Sequence, residues 1–127
     1  MGEPSSVCAL LMRNGEVCRV TRRNKPGDYG LAGGKVDPTD SHPIYAMIRE
    51  VLEEIGVEVI EAYFIFERID PADGKIAWCY RVTAWKGEPH QCEPGIEVSW
   101  GKPETLLTED CTFREYNRML FEHLELV

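Results

Sequence analysis

Apolar residues recur at helical spacing in the segment SHPIYAMIREVLEEIG, which covers residues 41–56. The apolar positions that share one face of such a helix are Ile44, Met47, Ile48, Val51, Leu52 and Ile55. Ser41 is a candidate N-cap, Pro43 fits the first turn, and Gly56 is a typical stop residue. The pattern predicts an amphipathic helix that packs its apolar face against a core.

Runs of β-branched and aromatic residues on both sides of this helix predict strands. Two such runs flank Asn14-Gly15, a dipeptide that favours a tight hairpin, and they indicate two antiparallel strands. Downstream, VEVIEAYFIFERID and KIAWCYRVTAW are joined by the turn sequence PADG, and IEVSW indicates a further short strand.

The remaining segments complete a two-helix pattern. Residues 24–40, NKPGDYGLAGGKVDPTD, are rich in Gly, Pro and Asp, and we interpret them as a loop with a short extended piece that leads into the helix. A last helix is predicted at about residues 112–124. An α+β fold of the α/β/α sandwich type, with a mixed β-sheet and a helix on each face, is the simplest way to cover these apolar surfaces. We expect residues 1–127 to form a single domain.

Composition and charge narrow the classes of partner. The net charge is -8 and the isoelectric point is about 4.9. Nucleic acid is not expected as a partner, because phosphate contacts require clustered Lys and Arg. No apolar run approaches the length of a membrane span, so no membrane partner is expected. The five cysteines are scattered without paired spacing, which favours reduced thiols in a cytoplasmic protein. We expect a monomer or a homodimer.

Three glutamates fall on one face of the predicted helix. Glu50, Glu53 and Glu54 are related as i, i+3 and i+4, so their carboxylates are neighbours. A fully solvated acidic face is one interpretation, since like charges at this spacing cost only a few tenths of a kcal/mol. If the face is partly buried, two carboxylates about 5 Å apart repel by roughly 3 kcal/mol at an effective dielectric constant of about 20. A divalent cation would then relieve the repulsion, and the spacing alone leaves both interpretations open.

The surrounding segment resembles a known motif. From Gly34, the sequence GKVDPTDSHPIYAMIREVLEEIGV is similar to the Nudix box, G-x5-E-x7-R-E-U-x-E-E-x-G-U, where U is a bulky aliphatic residue. The half from Arg49 to Val57 matches at every fixed position. The preceding YGLAGGKVD and the downstream EVSWGKPETLL are also similar to family sequences. The chain is therefore identified as a suspected member of the Nudix hydrolase family, with a Nudix-like fold.

Three features depart from the family pattern. The spacing from Gly34 to Arg49 is one residue longer than the box requires, and the loop DSHP is expected to absorb the insertion. The first Glu of the box is represented at best by Asp40, which is shorter, and its role is not carried over. Ala32 also replaces the usual Pro.

The resemblance implies a Mg²⁺ site, with Mn²⁺ as a substitute. The metal ligands that it implies are Glu50, Glu53, Glu54, the carbonyl oxygen of Gly33, and Glu97, for which Glu93 is the alternative. Carboxylate and carbonyl oxygens are the ligands that Mg²⁺ prefers. Glu50 or Glu53 would accept the proton of the attacking water, and Arg49 would orient a carboxylate.

Substrate contacts are expected on both sides of the glycine loop. Arg23 and Lys35, with Arg22, are candidates for binding phosphate oxygens. Tyr29 and the segment TEDCTF, through Asp110 and Phe113, are candidates for holding the base of a small nucleotide substrate. The leading expectation is hydrolysis of a (deoxy)nucleoside triphosphate to a monophosphate and pyrophosphate. The alternatives are a nucleotide-sugar or dinucleotide pyrophosphatase, and a Nudix-fold nucleotide sensor without turnover.

Overall fold

The computed structural model of the chain describes residues 2–127. Within this range there are eight strands, two α-helices and a 3₁₀ helix at Pro103–Leu106. The strands are β1 (Ser6–Leu10), β2 (Met12–Arg13), β3 (Glu16–Arg22), β4 (Lys25–Gly30), β5 (Ala32–Lys35), β6 (Glu58–Asp70), β7 (Lys75–Lys86) and β8 (Val98–Gly101). The α-helices are α1 (Pro43–Ile55) and α2 (Arg114–His123).

The larger sheet has the strand order β5-β1-β7-β6. It is mixed, because β1 runs parallel to β7 while the other neighbouring strands are antiparallel. Helix α1 packs Met47, Val51 and Ile55 into the core on one face, and α2 packs Leu120 and Phe121 into a second core on the other face. This arrangement confirms the expected α+β class and the helix on each face.

The smaller sheet contains β2, β3 and β4, with β8 paired to β3. Asn14 and Gly15 connect β2 to β3 with φ angles of 54° and 78°, as a type I′ hairpin turn requires, which confirms the predicted hairpin. The run before the turn divides at Leu11, however, and its first part is β1 of the larger sheet. The strands therefore form two sheets and not one.

The prediction of a loop with one short extended piece at residues 24–40 is wrong over most of that segment. This segment forms β4, which pairs with β3, and β5, which pairs with β1. Gly and Pro have low strand propensity, but hydrogen bonding to distant strands overrides that local preference. Gly33 has a packing reason to be glycine, because an added Cβ would collide with the carbonyl oxygen of Val7 on the neighbouring strand.

Helix α1 differs from the prediction at its start and at one apolar position. The N-cap is His42 and not Ser41, and the Nδ1 atom of His42 accepts a hydrogen bond of 3.2 Å from the Ile44 amide. Pro43 at the first helical position favours an extended conformation for the residue before it, which places the cap there. Leu52 is exposed, because α1 packs through a narrower stripe than expected. Gly56 ends the helix in the left-handed conformation, as predicted.

Candidate active site

The glutamates of α1 are not equally solvated. The Glu50 side chain is 20% exposed and that of Glu53 is 53% exposed, while Glu54 is half-buried. Burial is the main cause that raises the pKa of Glu54 to about 7, and the negative charges of Glu93 and Glu50 act in the same direction. Burial also raises the pKa of Glu50, although Arg49 opposes the effect. The structure therefore favours the partly buried carboxylate cluster over the fully solvated acidic face.

Strand β5 lies directly against these carboxylates. The Gly33 amide donates a hydrogen bond of 3.2 Å to Glu54 Oε1. A Cβ added to Gly34 would overlap the Glu50 carboxylate, so only glycine permits this close approach. The main chain of β5 and the glutamate face of α1 thus form one surface. The role of the Gly33 carbonyl oxygen as a metal ligand stays a prediction.

Arg49 joins the loop before α1 to the glutamates. Its Nη2 atom is 2.8 Å from Asp40 Oδ2, and its Nη1 atom donates a hydrogen bond of 2.9 Å to Glu50 Oε1. The distance from Nη1 to Glu53 Oε2 is 3.9 Å. The hydrogen bond from Arg49 holds the pKa of Asp40 below its usual value. Asp40, to which the sequence assigned no role, is therefore an ion-pair partner of Arg49.

A fourth carboxylate approaches the cluster from the loop before β8. Glu93 raises the pKa of both Glu54 and Glu50 through its charge, and its Oε2 atom is 2.8 Å from Arg23 Nη2. Glu97 is exposed, and its main chain pairs with Thr21. The structure thus brings Glu93 toward the glutamates of α1, and the role of Glu97 stays a prediction.

A cleft of about 350 Å³ opens next to this surface. Predicted site residues that line the cleft are Arg22, Arg23, Gly33, Gly34, Lys35, Glu54 and Phe113. The three cationic residues among them are exposed, which gives this part of the cleft a basic rim. Tyr29 packs against the Arg19 guanidinium, 3.8 Å from the ring centroid to Cζ, and Asp110 is exposed. Within residues 2–127, these two do not line the cleft, and their contacts with a base stay predictions.

Sequence reasoning missed several polar residues in the cleft, among them Asn117 and Asp70. Asn117 on α2 is 2% exposed, and Asp70 at the end of β6 is 7% exposed. A signal for Asn117 was present, since it shares the buried face of α2 with Tyr116, and buried amides normally have hydrogen-bond partners. Asp70 is the last residue of the predicted strand run VEVIEAYFIFERID, and its burial depends on distant packing that this run does not encode.

The raised pKa of Glu54 predicts a specific pH dependence of stability without metal. The folded chain holds this proton up to about pH 7, whereas an ordinary Glu loses it near pH 4.5, so this group lowers the free energy of unfolding as pH rises between those values. One pKa unit corresponds to about 1.4 kcal/mol, so the free energy of unfolding of Glu54→Gln, relative to that of wild type, should rise by on the order of 3 kcal/mol between pH 4.5 and pH 7.5. Urea unfolding in chelator at both pH values measures the difference. Identical pH dependence in the two proteins would contradict the expectation.

Within residues 2–127, no helix is both long and apolar enough to cross a membrane.

Comparisons with known proteins agree in sequence and in structure. A family model described as NUDIX domain matches residues 2–121. The CTP pyrophosphohydrolase of Escherichia coli (strain K12) is 30% identical over 73 residues, which are 55% of this chain and 53% of that protein. The chain thus matches about half the length of that curated relative.

Two solved structures resemble nearly the whole chain. One is a MutT protein from work on Aliivibrio salmonicida and Vibrio cholerae, with 27% identity, a TM-score of 0.76 and coverage of 97% of both chains. The other is the MutT NUDIX hydrolase of Burkholderia pseudomallei, with 27% identity, a TM-score of 0.72, and coverage of 96% of this chain and 98% of that one.

Proposed function

Because this chain belongs to the Nudix family and is a Nudix-type hydrolase, we propose that it hydrolyses a nucleoside triphosphate to a monophosphate and pyrophosphate with a divalent metal ion. The observation that carries the proposal is the pair of partly buried carboxylates, Glu50 and Glu54, packed against the glycines of β5 at a cleft with a basic rim. The likeness to a CTP pyrophosphohydrolase supports a triphosphate as the substrate. We propose a cytoplasmic enzyme that acts as a monomer or homodimer.

The chemistry of these carboxylates fits Mg²⁺. Within residues 2–127, no group of three or more His, Cys, Asp or Glu side chains is already gathered closely enough to hold a metal ion. Mg²⁺ in phosphoryl-transfer sites is commonly held by one or two carboxylates together with substrate phosphates and water, so a preformed cage is not required. Glu50 and Glu54 would supply these carboxylates. Burial is the main cause that raises the pKa of both groups, nearby carboxylates act in the same direction, and a bound cation would favour the charged forms. A bound ion would neutralise phosphate charge and make a water molecule more acidic.

The chain's own residues would divide the remaining work. Glu53 is the most exposed carboxylate of the cluster, which suits it to accept the proton of the attacking water. Arg49 would hold Glu50 in place, since its guanidinium already binds Glu50 and Asp40. Arg23 and Lys35, on the rim, would bind phosphate oxygens that the acidic surface repels.

Phe113 would contact the nucleoside from the wall of the cleft. It lines the cleft next to Gly30, where an added Cβ would lie 3.6 Å from the Phe113 ring. An aromatic face at this position offers a stacking surface for a base or a ribose.

Product analysis over a panel of nucleotides tests the proposed reaction. In the presence of Mg²⁺, each turnover of a triphosphate should yield one monophosphate and one pyrophosphate, with no release of orthophosphate. Oxygen from ¹⁸O-labelled water should appear in only one of the two products. Inertness toward every triphosphate, together with rapid cleavage of an ADP-sugar, would overturn the substrate while leaving the site in place.

A further inference from the structure

The lining of the cleft contains two sets of residues that differ in chemistry. The first set comprises the glycines of β5, Glu54 and the basic rim. The second set comprises Asp70 and Asp73 of the β6–β7 turn region, Ala77 on β7, and Tyr116 and Asn117 on α2. If the first set binds the phosphates, as the proposed function requires, the second set is available to contact the base of the nucleotide.

Asp70 contributes a buried carboxylate to this second set. It is the last residue of β6, it is 7% exposed, and it lines the cleft. Its Oδ1 atom accepts a hydrogen bond of 2.9 Å from the Ala72 amide, which shapes the turn. Burial raises the pKa of Asp70, and the charge of Asp73 acts in the same direction. A single backbone donor leaves acceptor capacity on this carboxylate, because an ionised carboxylate accepts about four hydrogen bonds.

Asn117 provides a second and independent observation in the same set of lining residues. It is 2% exposed, and its side-chain Nδ2 atom has no hydrogen-bond partner among the described residues. It follows Tyr116, whose hydroxyl donates a hydrogen bond of 3.3 Å to the Ala77 carbonyl oxygen. Buried amide groups in native proteins are usually paired, so an unpaired amide that lines a cleft points to a ligand that pairs it.

We propose that Asp70 and Asn117 recognise the base, and that they select bases that carry an exocyclic amine. This inference rests on the proposed function, because it requires a nucleotide in the cleft. The Asp70 carboxylate is an acceptor only, so it would bind the amine of cytosine or adenine and repel the carbonyl oxygen that uracil or hypoxanthine carries at the same position. The Asn117 amide would donate to a ring nitrogen or carbonyl oxygen of the base. Uracil and hypoxanthine would be rejected because their carbonyl oxygen and the Asp70 carboxylate are both acceptors, and no donor lies between them.

Binding of four nucleoside monophosphates tests the inference without requiring turnover. Cytidine and uridine monophosphates differ in one amine that is replaced by oxygen, and adenosine and inosine monophosphates differ in the same way. For the wild-type chain with Mg²⁺, titration followed by NMR should give a Kd at least about tenfold lower for the amine-bearing member of each pair. Equal Kd values within both pairs would overturn the inference.

A substitution then assigns the selectivity to Asp70. Asp70→Asn keeps an oxygen for the Ala72 amide and so preserves the turn, but it adds a donor, and both selectivity ratios should fall to within about threefold of one. Asp37→Asn is the matched control, because Asp37 Oδ1 accepts a hydrogen bond of 2.9 Å from the Thr39 amide in a similar turn outside the cleft. It should retain the wild-type ratios. Unchanged ratios in Asp70→Asn, or an equal loss in Asp37→Asn, would refute the role of Asp70.

Failure of this inference and failure of the proposed function give different results. Hydrolysis of triphosphates to monophosphate and pyrophosphate, with equal binding of the paired bases, would refute the base selection alone. Selective binding of amine-bearing monophosphates, with no triphosphate hydrolysed, would support the base selection and refute the proposed reaction.

Discussion

Excess chelator is expected to abolish hydrolysis by this chain, and added Mg²⁺ or Mn²⁺ is expected to restore it. Glu50 and Glu93 place negative charge beside the part of the cleft where an anionic substrate would bind, and Glu54 adds a further charge once it loses its proton near pH 7. Without a cation, the phosphates of a nucleotide would be repelled from this surface, and the basic rim is exposed and therefore well screened by solvent and salt. Mg²⁺ and Mn²⁺ both bind oxygen ligands, so either ion should support turnover.

The measurement is the rate of pyrophosphate release before chelation, in excess chelator, and after metal is returned in excess. Circular dichroism in chelator serves as the control, since it separates loss of metal from loss of fold. Full turnover by the chelated chain would be incompatible with the proposed mechanism.

Glu54→Gln should lower kcat by at least about a hundredfold, whereas Asp40→Asn should lower it much less. A glutamine at position 54 still offers Oε1 to the Gly33 amide, so the packing against β5 is retained while the charge that would bind metal is lost. An asparagine at position 40 can place its oxygen where Asp40 Oδ2 now accepts hydrogen bonds of 2.8 Å from both Arg49 and the Asp37 amide. That substitution weakens an ion pair next to the site without removing a proposed metal ligand.

Steady-state kinetics of the two variants with the same triphosphate give the comparison. Thermal unfolding of both variants checks that each one is folded at the assay temperature. A larger loss of kcat in Asp40→Asn than in Glu54→Gln would mean that the proposed metal ligands are assigned to the wrong acidic residues.

Local sequence signals were sufficient for the elements that depend on near neighbours. Residues close to one another in the sequence determine three of these elements: α1 with its 3.6-residue periodicity, the Asn14-Gly15 hairpin and the long β6–β7 hairpin. Residues 24–40 form two strands where one short extended piece was expected, because the strand character of β4 and β5 comes from pairing with β3 and β1, to which no local pattern in a glycine-rich segment points.

The candidate site shows the same division between local and distant information. The three glutamates and Arg49 could be placed on one helical face from spacing alone. The burial of Glu54 and Asp70, the contact of Arg49 with Asp40, and the unpaired amide of Asn117 depend on segments far apart in the chain. Their energies come from desolvation and tertiary packing, which spacing does not report.

The pairing of β5 with β1 has a consequence for how the chain can vary. The glycines are fixed by their register, Cys8 with Gly33 and Val7 with Gly34, while α1 is fixed separately by its packing in the core. The connection between them, residues 36–42, sets neither position. Its length is therefore free to change through insertion or deletion as long as an acidic side chain still reaches Arg49. We therefore expect the extra residue in this chain to leave the glycines and the glutamates in place, and a search that demands a fixed spacing across this connection would overlook proteins built around the same site.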